Sequence, residues 1–94
     1  CPIGTLAGEV AERNDGARRQ VEAAFDTWEQ LFADAFGRMR ERGELPPDAS
    51  PQTLATSLLA SIEGGLLLSQ TRRNAASLRV AVEVALAQLR AQTP

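Results

Sequence analysis

A cysteine at the first position carries a thiol and an amine on one residue, the pairing by which an N-terminal nucleophile uses its own amine as base. Cys1 lacks the rest of such a site, because the chain has no histidine and shows neither an oxyanion loop nor strands to hold one. A small, mostly buried thiol at a helix start is the expectation instead. Glu22, Asp26 and Glu29 recur at steps of four and three. That spacing suits general acid–base work or a metal, yet it also describes the solvated flank of an amphipathic helix, which is the expectation here. A single cysteine and no histidine leave no disulfide framework and no zinc spacing. No enzymatic activity, metal or cofactor is expected.

The stronger chemical signal is apolar. Phe25, Trp28, Phe32, Phe36 and Met39 recur at steps of three and four, with Val21 and Ala35 in the same stripe. Small-molecule sites are mostly apolar and aromatic with a few polar groups, so these five are candidates to line a ligand pocket. The same stripe also fits a hydrophobic core. Polar groups within reach are few (Thr5, Glu9, Gln52 and Ser57), so a small lipophilic ligand is expected rather than a highly charged one.

The elements that must position this stripe are all helical; no stretch alternates with a strand's period of two. Ile3, Leu6, Ala7 and Val10 predict a short first helix over 2–12, opened by Pro2 and weakened by Gly4 and Gly8. Asn14-Asp15-Gly16 supplies a turn and an N-cap. The aromatic stripe then sets a long helix over 17–42, with Asp34 and Arg38 spaced to pair across one turn. Gly43 is placed to end it in the left-handed conformation, with Leu45 folding back over its last turn. Ser50 as N-cap and Pro51 at the first helical position start a third helix over 51–73, and a fourth runs over 75–91 after a break at Asn74. The expectation is one all-α domain, a bundle of about four helices over 1–94.

The last two helices carry more apolar surface than one small domain buries. Over 51–73, Leu54, Ala55, Leu58, Leu59, Ile62 and Leu66 form one broad face. Ser57, Ala60, Ser61, Gly64, Leu67 and Leu68 form a second. Over 75–91, Leu78, Val82, Ala85, Leu86 and Leu89 make one stripe, while Val80, Val84 and Ala87 make another. A helix apolar nearly all round must be covered on several sides, and a second copy of the same pair is the simplest cover. The second faces are therefore the expected homodimer interface. Gly64-Gly65 costs about 1 kcal/mol per residue relative to alanine inside a helix, which fits close approach of another backbone, here a partner helix, with a local kink as the alternative.

A chain of 94 residues allows one domain, and one of this size buries only about 60–65% of its unfolded surface. The net charge of −2 argues against holding nucleic acid unaided. All ten basic residues are arginine, and no basic polar face marks a membrane-surface helix. With no signal peptide and no run of eighteen apolar residues, a cytoplasmic protein is expected. The start at Cys1 rather than methionine reads as a piece of something longer.

Three stretches now combine. Cys1-Pro2-Ile3-Gly4-Thr5-Leu6-Ala7 opens a helix. Arg42-Gly43-Glu44-Leu45-Pro46-Pro47-Asp48-Ala49-Ser50-Pro51 joins the long helix to the next, and Gly64-Gly65-Leu66-Leu67-Leu68 interrupts the third. Their order and spacing over the full length resemble the C-terminal part of a tetracycline-repressor (TetR) family transcriptional regulator, in the subgroup with a Cys-Pro-Leu-Gly-like segment before the long helix. Ile3 and Ser50 depart mildly from the commoner leucine and aspartate. The resemblance implies an effector-sensing and homodimerising domain, its last two helices forming the interface. It also implies an operator-binding helix-turn-helix domain that lies outside these residues. A purely structural dimerisation module without a ligand is the alternative, and a cavity beside Trp28 separates the two.

Overall fold

The computed structural model describes residues 14–92, which form α1 (Asp15–Glu41), α2 (Pro51–Arg72) and α3 (Ala76–Gln92). No strand occurs among the described residues. The expected first helix over 2–12 lies outside them, and so do Cys1, Thr5 and Glu9.

Local chemistry sets each helix end. The Asn14 side chain accepts from the Ala17 N–H at 3.1 Å, so α1 begins two residues earlier than its apolar stripe alone predicts. At its other end Gly43 has φ 76°. The Gly43 N–H donates to the Arg40 carbonyl and the Glu44 N–H to the Met39 carbonyl, the Schellman closure that satisfies the last free carbonyls. Leu45 follows and is the most deeply buried large side chain, 1% exposed. The Arg40 guanidinium then donates to the Ala49 carbonyl at 3.1 Å, tying the connection to α1. The Ser50 hydroxyl accepts from the Thr53 N–H, and Pro51 opens α2.

The turn into α3 is held from both sides. The Asn74 side chain accepts from the Ala76 N–H, and the Ser69 hydroxyl accepts from the Leu78 N–H, each at 3.0 Å. Asn74 therefore starts α3 as well as ending α2.

The helices lie side by side in the order α1, α2, α3, with α2 touching both neighbours. Extents of 45 × 31 × 14 Å describe a slab: α1 is about 40 Å long by its helical rise, and the thickness is little more than one helix. Ala33, Phe36, Leu45 and Ala55 form the core, flanked by Phe32, Met39, Leu54, Leu58 and Leu89. This core sits where the end of α1 meets the start of α2. No residue of α3 is fully buried. Stable domains ordinarily stack two layers around a core, and this slab is one layer.

Candidate functional site

Two features of the slab bear on function: the aromatic stripe of α1 and the outer face of α2 and α3. The stripe divides along its length. Phe36 is buried, and Phe32 and Met39 pack against the core. Phe25 and Trp28 lie further up α1, half-buried, with ring centroids 6.2 Å apart and planes at 68°, an edge-to-face pair. The stripe is not aimed squarely at α2. Leu31, one turn from Trp28, is 62% exposed.

One narrow cleft is lined by Phe36, Leu54, Ser57, Leu58, Ala85, Gln88 and Leu89. It encloses about 20 Å³, room for about one water. An open groove on another side runs along Gly65, Leu68, Ala76, Val80 and Ala81, with Arg72 at one end.

Of the residues lining that groove, Leu68 and Val80 belong to the second apolar face predicted from sequence. Ser57, Ala60, Gly64, Leu67 and Leu68 are all exposed on α2, and Ser61 is half-buried at their edge. On α3, Val80 is 59% and Val84 52% exposed, with Ala87 also open to solvent. The other faces turn inward: Ala55 and Leu59 are buried, and Leu78, Val82, Ala85 and Leu89 are half-buried. Leu86, placed with the inward stripe by its spacing, is instead 42% exposed.

The two glycines have separate roles. A Cβ on Gly65 would meet the Leu78 Cα at 3.0 Å and the Ala81 Cβ at 3.2 Å. The close approach expected at Gly64-Gly65 is therefore made at Gly65, by α3 of the same chain. Nothing lies within 4 Å of a Cβ on Gly64, which faces outward.

Two carboxyl groups behave differently from a solvated flank. Glu29 is half-buried, and its Oε1 accepts from the Gln52 amide at 2.6 Å and from the Thr56 hydroxyl. It fastens α1 to α2 and engages Gln52, one of the polar ligand candidates. Glu63, on the same side of α2, has both carboxyl oxygens shut off from solvent and without a hydrogen bond. In sequence it stands out only as the one charged residue between Ser50 and Arg72. Glu22 and Asp26 are exposed, Glu22 accepting from Arg18 at 3.3 Å. Asp34 accepts from Gln30 at 2.8 Å rather than pairing with Arg38. At the end of α1, Arg42 grips Glu44 with two donors, at 2.6 and 3.3 Å. That hydrogen bond holds the Glu44 carboxyl below its ordinary range and raises the guanidinium. No group of side chains among the described residues could hold a metal, and no described helix is long and apolar enough to cross a membrane.

The family model described as "Transcriptional regulator LmrA/YxaF-like, C-terminal domain" matches residues 1–84. The chain belongs to this TetR family, whose members are transcriptional regulators and not enzymes. It is 30% identical over 74 residues to the HTH-type transcriptional repressor DhaR of Mycobacterium sp. (strain GP1), covering 79% of this chain and 37% of that protein. It is 32% identical over 82 residues to the HTH-type transcriptional regulator YxaF of Bacillus subtilis (strain 168), covering 87% of this chain and 40% of the other. LmrA of the same strain is 29% identical over 77 residues, 82% of this chain and 38% of its own length. The chain thus spans about two fifths of these relatives. No solved structure matches it.

Proposed function

We propose that this domain senses an effector and forms the homodimer of a TetR-type DNA-binding regulator acting in the cytoplasm. The observation that carries the reading is the uncharged outer face of Ser57, Ala60, Gly64, Leu67 and Leu68 beside Val80, Val84 and Ala87. Left in water, such a contiguous apolar face is costly and marks an interface. Two-fold pairing of α2 and α3 with their copies turns one layer into two and makes a four-helix interface.

The operator would be bound by a separate helix-turn-helix domain, as the names of the HTH-type relatives imply; DhaR's name supports a repressor. A lipophilic effector held along α1 would shift the pose of those DNA-binding heads across the dimer. Such a switch needs different affinity for two states of the protein, not merely a bound ligand. A second reading, a structural dimerisation module without a ligand, has its own support. Phe32, Phe36 and Met39 are taken up by the core, and the cleft at Phe36 holds about one water.

Sedimentation equilibrium tests the dimer. The chain is expected to associate through an interface of about 1,600 Å² or more in total, and Leu68→Glu with Val84→Glu to yield folded monomers. A well-folded monomer from the unmodified chain at micromolar concentration rejects the proposal.

A further inference from the structure

We infer that Glu63 anchors the effector and that the effector carries one organic cation on an apolar body, an inference that rests on the effector-sensing reading above. Both Glu63 oxygens are closed off from solvent and accept no hydrogen bond, while every other buried side-chain oxygen or nitrogen among the described residues finds a partner. A polar group removed from water without a partner is costly in either protonation state. Such a defect persists where something outside the resting fold answers it.

Register says where the answering group would stand. Arg40 reaches Ala49 and Glu29 reaches Thr56, so α1 and α2 run antiparallel with residue numbers falling on one as they rise on the other. Glu63 lies seven residues beyond Thr56, two turns or about 10 Å along α2. The matching step back along α1 from Glu29 reaches the level of Glu22, one turn from Phe25, whose ring meets Trp28 edge to face. The cations nearest this level on α1 are Arg19, which is exposed, and Arg18, which is held by Asp15 at 3.7 Å and Glu22 at 3.3 Å.

A carboxyl group about one turn from the Phe25 ring of a half-buried aromatic pair is the chemistry that recognises an alkylammonium or amidinium head. The carboxyl accepts its N–H groups while the ring faces attract its charge. A second subunit is the poorer candidate for that head. The outer face used for pairing lies on a different sector of α2, whereas Glu63 shares its sector with Gln52, Thr56 and Leu59.

The test titrates the 94-residue chain with para-butylbenzylamine and with para-butylbenzyl alcohol, following Trp28 emission and the unfolding temperature. The amine is expected to bind about tenfold or more tightly than the alcohol. Glu63→Gln, of nearly the same shape, should abolish that preference while leaving alcohol binding unchanged, and should unfold at a higher temperature without ligand. Equal binding of the two probes, or an amine preference that survives Glu63→Gln, overturns the inference and leaves the effector-sensing reading standing. Binding of neither probe overturns both.

Discussion

Gly43 and Arg73 end their helices with the same pair of backbone hydrogen bonds, and both take positive φ, 76° and 55°. In each case the left-handed residue donates to the carbonyl three back and its successor to the carbonyl five back, Arg73 to Gln70 and Asn74 to Ser69. The geometry is shared but the chemistry is not. Glycine adopts this conformation without steric cost, whereas a Cβ there costs about 1–2 kcal/mol.

Exchange at these two positions should therefore have opposite signs. Arg73→Gly is expected to stabilise by about 0.5–1 kcal/mol, part of the relief being offset by a freer unfolded chain. Gly43→Ala should destabilise by about 1 kcal/mol through backbone strain alone, since nothing lies within 4 Å of the added Cβ. Thermal unfolding resolves both, at about 4–8 °C per kcal/mol for a domain of this size. A fall in unfolding temperature for Arg73→Gly would show that the arginine side chain matters more than its backbone.

The contrast also shows what was legible in the residues. Asn14, Gly43, Ser50 and Pro51 announced helix ends because capping is local chemistry, and the ends fell within two residues of them. Arg73 announced nothing, since the left-handed turn there is imposed by how α3 folds back. Periodicity likewise drew the stripe from Phe25 to Met39 without showing that its far end meets the core while Trp28 stays half-exposed. The stripe gives a direction on one helix, and burial depends on where the neighbour stands. Glu29 and Glu63 read as ordinary polar positions because their surroundings depend on the register between α1 and α2.

Removing the Glu29 clamp should loosen that register. Glu29→Ala leaves the Gln52 amide without its acceptor, though the Thr56 hydroxyl keeps the Gln52 carbonyl at 3.0 Å. A loss of about 1–2 kcal/mol is expected in urea unfolding. Glu29→Gln retains an acceptor oxygen and should fall between. No loss for alanine would mean that apolar packing alone sets the α1–α2 register.

Acid should release the Arg42–Glu44 clasp. The Glu44 carboxyl is held below its ordinary value chiefly by the side-chain hydrogen bond from Arg42, with burial opposing and charge attraction assisting. Its folded value is depressed, so the clasp contributes fully above the ordinary glutamate range and is lost as pH falls through the lowered value. Both side chains are exposed, so the effect on stability should be slight and weaker in high salt. Carboxyl-detected NMR titration should place Glu44 below the ordinary glutamate range, and Arg42→Ala should return it to that range. An unchanged midpoint in that variant would remove Arg42 as the cause.

Adjacent glycines on α2 should separate folding from association. Gly65→Ala places a Cβ 3.0 Å from the Leu78 backbone, where something must shift. A loss of about 1–3 kcal/mol is expected from this overpacking, despite the roughly 1 kcal/mol that alanine gains over glycine in a helix. Gly64→Ala meets no atom within 4 Å in the single chain, so a monomer should keep that gain. If α2 meets its own copy at Gly64, Gly64→Arg should weaken association in sedimentation while helical content by circular dichroism stays intact. The position of each glycine decides the readout, because one residue of offset turns a helical side chain by about 100°. Equal stabilisation by alanine at both sites would reject the close approach of α3 at Gly65. A Gly64→Arg chain that still dimerises would move the interface away from this face of α2.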